Sequence, residues 1–267
     1  GDITLIAQYK PNTYGVSVSG SGISADVQSV LHGQENVVIR LSVTEVGYHL
    51  PESIGVTMVD TQLVDFTYDN GVITFQSLVT GEITITASAQ QNTYTVTFDA
   101  NGGTGTMDDM PFTYDEEKNL NPINPDTFKR AGYTFKGWAR NPNVSNIEFA
   151  DGASVSNLTS RNGVTVTLYA VWEANTYTVT FDKNVGDGET TTQDFTYDTA
   201  QNLNPNAFTR TGYTFAGWAR DKGATEIECA DGASVIILTA TDKGNVTLYA
   251  VRRADSYTIE SDGGPAT

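Results

Sequence analysis

Tyr94-Thr-Val-Thr-Phe-Asp99 is the stretch on which the fold turns. Tyr94, Val96 and Phe98 alternate with Thr95, Thr97 and Asp99, the period-two pattern of a strand with one buried face. The same six residues return as Tyr177-Thr-Val-Thr-Phe-Asp182. Phe112-Thr-Tyr-Asp115 follows the first copy and Phe195-Thr-Tyr-Asp198 the second. Gly132-Tyr-Thr-Phe-Lys-Gly-Trp-Ala-Arg140 matches Gly212-Tyr-Thr-Phe-Ala-Gly-Trp-Ala-Arg220, and Val166-Thr-Leu-Tyr-Ala-Val171 matches Val246-Thr-Leu-Tyr-Ala-Val251. One order of blocks in two copies is the mark of a tandem repeat.

The period extends beyond the two copies. Tyr14, Tyr94, Tyr177 and Tyr257 stand 80, 83 and 80 residues apart. Residues 14–93 are thus one more unit of the same length with different internal sequence. Residues 1–13 read as the end of a preceding unit and residues 257–267 as the start of a further unit or a tail. Each unit reads as β-structure. Val37, Ile39, Leu41 and Val43 alternate in the first, and Asn70-Gly71 marks a hairpin because both positions tolerate positive φ. The best helical candidate starts at the cap-type residue Asp151 and covers at most Gly152 to Leu158. Gln90-Gln-Asn92, Glu173-Ala-Asn175 and Arg253-Ala-Asp255 are the only linkers, too short and too poor in glycine and proline to let neighbours swing far.

Composition narrows the function classes. The 267 residues carry 15 basic and 32 acidic side chains, a net charge of −17, which argues against nucleic acid or anionic lipid as a partner. One cysteine excludes an internal disulfide framework, and the two histidines lie far from it, so no zinc site is expected. No apolar run is long enough to span a bilayer. Gly1-Asp2-Ile3-Thr4-Leu5 lacks the basic start of a signal peptide.

Residues 94–256 resemble the Listeria–Bacteroides repeat family, also called the internalin B-repeat. Tyr94-Thr-Val-Thr-Phe-Asp-Ala-Asn-Gly-Gly103, Gly132-Tyr-Thr-Phe-Lys-Gly-Trp138 and Val166-Thr-Leu-Tyr-Ala-Val-Trp172 carry the resemblance. The second copy departs from it with Lys183-Asn184-Val185 at the turn and Arg252 in place of Trp172. The resemblance implies β-grasp-like repeats at 94–176 and 177–256, in tandem arrays on bacterial surface proteins, and no catalytic activity. Through Gly47-Tyr-His-Leu-Pro-Glu-Ser-Ile-Gly-Val-Thr-Met58 and Phe66-Thr-Tyr-Asp-Asn-Gly-Val-Ile-Thr-Phe75, residues 14–93 resemble an immunoglobulin-like module of Gram-positive surface proteins. The fold class expected is therefore mainly β: tandem small β-rich domains, one Ig-like sandwich followed by two β-grasp-like repeats.

Candidate sites are few. Tyr133, Trp138, Tyr213 and Trp218 are the aromatics that could stack on a sugar ring. The competing reading puts both tryptophans in the core, because a unit of 80 residues needs large side chains inside. Cys229 replaces Phe149 and has no histidine in its own unit, so it reads as a small hydrophobe rather than a nucleophile. Asp108-Asp109, Asp115-Glu116-Glu117 and Asp187-Gly-Glu189 do not follow the alternating acid pattern of a calcium loop and read as solvated charge. No cofactor, metal or catalytic residue is expected. The function expected is a stalk or adhesin repeat segment of an extracellular, cell-wall-anchored or secreted bacterial protein, projecting a distal region. The alternative is a module that binds host glycan, mucin or matrix protein itself, or an accessory module of an extracellular carbohydrate-active enzyme.

Overall fold

A computed structural model describes residues 7–59, 64–124 and 128–258. Residues 1–6 and 259–267, where the sequence reading puts the close of an earlier unit and most of the opening of a later one, lie outside them. The described residues are all-β, without a helix among them, and form several small sheets. The chain divides into two compact units: residues 1–98, 107–122 and 152–168, and residues 99–106, 123–151 and 169–267.

In the first unit, Thr13–Ser19 pairs antiparallel with Ser29–Leu31 and parallel with Ile83–Thr86, which in turn pairs antiparallel with Gly55–Met58. A second four-stranded sheet joins Ile23–Ala25, Val38–Val43, Val72–Phe75 and Phe66–Asp69. Asn70 and Gly71 connect its last two strands with φ of 46° and 83°, the doubly left-handed turn that Asn-Gly favours. Alternation along these strands sends Val16, Ile39, Leu41, Ile73, Phe75, Ile83 and Ile85 into one core. The same unit holds the antiparallel pairing of residues 93–96 with Met110–Thr113.

The second unit repeats the mixed sheet. Thr176–Asp182 pairs antiparallel with Thr191–Thr196 and parallel with Gly244–Ala254, and the latter pairs antiparallel with Tyr213–Ala219. A parallel central pair flanked by antiparallel neighbours is the sheet of a β-grasp, built here without a helix among the described residues. The mixed sheet within residues 13–86 has the same pairing order. Tyr177, Val179, Phe181, Phe195, Trp218 and Leu248 form the core. Phe181 and Phe215 lie 4.9 Å from the Trp218 ring and Phe208 6.0 Å. In the preceding copy, Phe135 and Phe128 approach Trp138 at 4.9 and 5.8 Å. A bulge at Gly137 and at Gly217 shifts the register beside each tryptophan. There the chain has φ near 151°, and a Cβ would fall 2.5 or 2.6 Å from the carbonyl of Phe149 or Cys229.

The best helical candidate, after Asp151, does not form a helix. Ser154–Val155 is a short strand paired with Lys118–Asn119, and Ser234–Val235 pairs likewise with Gln201–Asn202. Gly152 follows Asp151 at φ 66°, a left-handed conformation that cannot start a right-handed helix. The Asp151 carboxylate accepts the amide of Ile123 at 2.8 Å, and Asp231 that of Asn206 at 2.7 Å. Each aspartate ties down a backbone amide from before the strand Tyr133–Ala139 or Tyr213–Ala219 instead of capping a helix.

The departures in the second copy keep the contacts they replace. Trp172 donates its indole N–H to the Ala100 carbonyl at 2.8 Å, and Arg252 donates to the matching Lys183 carbonyl at 2.6 Å. Asn101 and Asn184 hold the carbonyls of Ala170 and Ala250 at 2.9 and 3.0 Å. The turn itself is poorer. Val185 sits at φ 68°, where the first copy has Gly102 at 83°. A β-branched residue there costs about 1–2 kcal/mol, and Val185 is exposed, so it has little burial to lose. Val185→Gly is expected to stabilise the chain by about 1 kcal/mol in urea denaturation.

Candidate functional site

Two residues that the sequence reading leaves in linkers are the only buried polar side chains among the described residues: Asn92, 5% exposed, and Asn175, 8% exposed. A buried amide must find partners for every donor and acceptor, and each of these finds them on both sides of itself. The backbone amide of Asn92 donates to the Gly47 carbonyl at 2.8 Å, and its Oδ1 lies 2.8 Å from His49 Nδ1. Its carbonyl accepts the amide of Tyr114 at 2.8 Å, and its Nδ2 donates to the Ser160 carbonyl at 2.7 Å. With Nδ2 turned to a carbonyl, Oδ1 is the acceptor, so His49 carries its proton on Nδ1.

Asn175 repeats the arrangement. Its amide donates to Gly132 at 2.9 Å and its Oδ1 accepts the Thr134 hydroxyl at 2.7 Å. Its carbonyl accepts Tyr197 N–H at 2.8 Å, and its Nδ2 donates to Ala240 at 2.8 Å. In each case one residue gives two polar groups to residues before it in the chain and two to residues after it.

Aromatic packing surrounds each asparagine. Tyr48 meets Tyr114 edge-on at 6.2 Å, and Tyr133 meets Tyr197 edge-on at 5.7 Å. The hydroxyls of Tyr48 and Tyr133 donate to Asp115 and Asp198, each at 3.0 Å. Hydrogen bonding to Asp115 pushes the Tyr48 phenol up, and burial, then Asp198, pushes Tyr133 up. Both phenols therefore stay protonated donors at neutral pH. Arg130 stacks on the Tyr133 ring at 3.8 Å, holding it in place.

Glycine makes the close approach possible. A Cβ on Gly47 would stand 2.2 Å from the Tyr114 ring, and one on Gly132 2.3 Å from that of Tyr197. Gly212 has the same φ as Gly132, 75°, but nothing within 4 Å of its Cβ position. The two substitutions thus share a backbone strain of about 1–2 kcal/mol, and only Gly132→Ala adds a clash worth about 1–3 kcal/mol more. Thermal denaturation is expected to rank Gly132→Ala well below Gly212→Ala. Equal losses would mean that Tyr197 moves aside freely.

The aromatics expected as sugar platforms are divided. Trp138 and Trp218 are fully buried, and an enclosed indole presents no face to a sugar. Tyr133 is half-buried and Tyr213 is 37% exposed. Cys229 is half-buried, and burial, then Glu228, pushes its thiol up, away from the reactive thiolate. Its backbone bonds to Trp218 at 2.8 and 3.1 Å, as Phe149 bonds to Trp138. No three histidine, cysteine or acidic side chains are grouped to hold a metal among the described residues. Asp115 is instead engaged by Tyr48 and by Asn157. The signal for the asparagines was present in the sequence as Asn-Thr-Tyr at 12–14, 92–94 and 175–177, with Asp255-Ser-Tyr257 in the fourth place.

The Listeria-Bacteroides repeat domain matches residues 94–171 and 177–251. A "Putative Gly-rich membrane protein" of Evansella cellulosilytica is 28% identical over 270 residues, 98% of this chain and 28% of that protein. Internalin H of Listeria monocytogenes is 32% identical over 186 residues, 69% of this chain and 28% of that one. The chain thus spans little more than a quarter of the length of these relatives. Among solved structures, the Bacillus anthracis TIE protein aligns over 91% of this chain and 51% of its own at 9% identity, with a TM-score of 0.32, too low to bear on the fold. With two tandem matches covering more than half of its residues, the chain belongs to the Listeria-Bacteroides repeat domain family.

Proposed function

We propose that this chain is a non-catalytic spacer segment of a bacterial cell-surface or secreted protein, in which units 14–93, 94–176 and 177–256 are held in sequence by asparagine joints. The observation that carries the reading is the division of each asparagine's four polar groups between its two neighbours. A residue satisfied from both sides ties two units at a cost of several hydrogen bonds if they part. That is what a stalk needs in order to hold a distal adhesive or other functional region at a distance. The relatives named a membrane protein and an internalin support a surface setting. The net charge of −17 adds mutual repulsion between units at low salt. Passing the chain over immobilised glycans, mucin and matrix proteins, with calcium and with chelator, tests the reading. A spacer gives no saturable selective signal in either buffer. Such a signal would make the chain a binding module in its own right.

A further inference from the structure

Gly212, Tyr213, Thr214 and Asp255 reproduce one half of an asparagine joint with its other half open. The Asp255 amide donates to the Gly212 carbonyl at 3.0 Å, as Asn175 does to Gly132. Its Oδ1 accepts the Thr214 hydroxyl at 2.7 Å, as Asn175 accepts Thr134. Arg210 stacks on Tyr213 at 3.8 Å, the distance of Arg130 from Tyr133. The contacts from the far side of the joint are what differ. Asp255 is exposed where Asn92 and Asn175 are buried. The space over Gly212 is open where a tyrosine ring covers Gly47 and Gly132. Tyr257 is 81% exposed, whereas Tyr94 and Tyr177, which hold its place in the two earlier units, are 2% exposed.

We propose that this face is a preformed docking surface for the Tyr-Asp turn of a further repeat of the same family, continuing from Ser256-Tyr257. The proposal rests on the joint reading and adds to it an unfilled site and its occupant. A tyrosine ring in the position of Tyr197 fits over Gly212, and an aspartate in the position of Asp198 accepts the Tyr213 hydroxyl. The stacked arginine already holds Tyr213 in the pose that Tyr133 adopts when filled, so little ordering is needed on docking. Asp255 sets this joint apart from the other two. It has no Nδ2 to give to a carbonyl placed like that of Ala240, so this joint selects an incoming repeat that offers a donor at that point and is weaker toward one that offers a carbonyl.

The test extends the full chain by placing a second copy of residues 176–256 after Asp255, with Asp255 retained or changed to Asn. Nitration of each tyrosine by tetranitromethane is then read by peptide mapping. The expected result is that Tyr213 reacts about tenfold more slowly in the Asp255→Asn extension than in the original chain, falling to the level of Tyr133. With Asp255 retained the protection is smaller, and Gly212→Ala removes it. A Tyr213 that reacts in both extensions as in the original chain overturns the proposal. Tyr133 in the same samples separates the two readings. Tyr133 protected beside a reactive Tyr213 defeats this inference alone, whereas Tyr133 reacting as fast as Tyr213 does in the original chain defeats the asparagine joint as well. A second extension carrying residues 93–174 is read in the same way, so that misfolding of one appended copy leaves the other to decide.

Discussion

Asn175→Ala is expected to lower the stability of the chain by about 2–4 kcal/mol, far more than its place in a short connection suggests. The substitution leaves the two backbone hydrogen bonds and removes the two made by the side chain. The Thr134 hydroxyl then loses its acceptor and the Ala240 carbonyl its donor, and each part-buried group left unpaired costs about 1–3 kcal/mol. Asn175→Asp keeps Oδ1 but turns a carboxylate toward the Ala240 carbonyl, so it too is expected to destabilise. Urea denaturation of the two variants checks both. A loss below about 0.5 kcal/mol, the scale of an ordinary surface change, would reduce residue 175 to a plain linker.

Trp218→Ala carries the other large effect, about 3–5 kcal/mol. The ring is enclosed by Phe181, Phe208 and Phe215, and the cavity left behind is bounded by strands that cannot close over it. Since whole domains are stable by only about 5–15 kcal/mol, residues 177–256 are expected to unfold at much lower urea. Trp138 and Trp172 remain as fluorescent reporters of the preceding copy, which is expected to hold to higher urea. A loss under about 1 kcal/mol would show that the ring is not part of the packing, and the sugar-stacking alternative would return.

Much of the fold is legible in the chain because it is written in local patterns. The alternation at Tyr94–Asp99 and at Tyr177–Asp182 depends on nothing beyond neighbouring residues, and the Asn70-Gly71 turn follows from backbone sterics alone. The Asp151 segment shows where locality misleads. An aspartate before a glycine serves equally to cap a helix or to close a loop, and its actual partner, Ile123, is distant in sequence. Arg252 in place of Trp172 looks like decay in the sequence. In space the guanidinium reaches the carbonyl that the indole reaches. The joints are the least legible part. Asn92 gathers Gly47 and His49, Tyr114 and Ser160 from three separate stretches, and no spacing rule announces such a meeting. Only the recurrence of Asn two residues before three of the four opening tyrosines hinted that the position had work beyond connecting strands.

The central claim is that the asparagine joints fix one repeat against the next. Spin labels at Val144→Cys and Ile237→Cys, both exposed in the native chain, placed in a Cys229→Ala background, report it by pulsed dipolar spectroscopy. One narrow distance distribution is expected in the otherwise native chain, broadening when Asn175→Ala is added. A distribution already broad with Asn175 in place, and unchanged by its removal, would contradict the account.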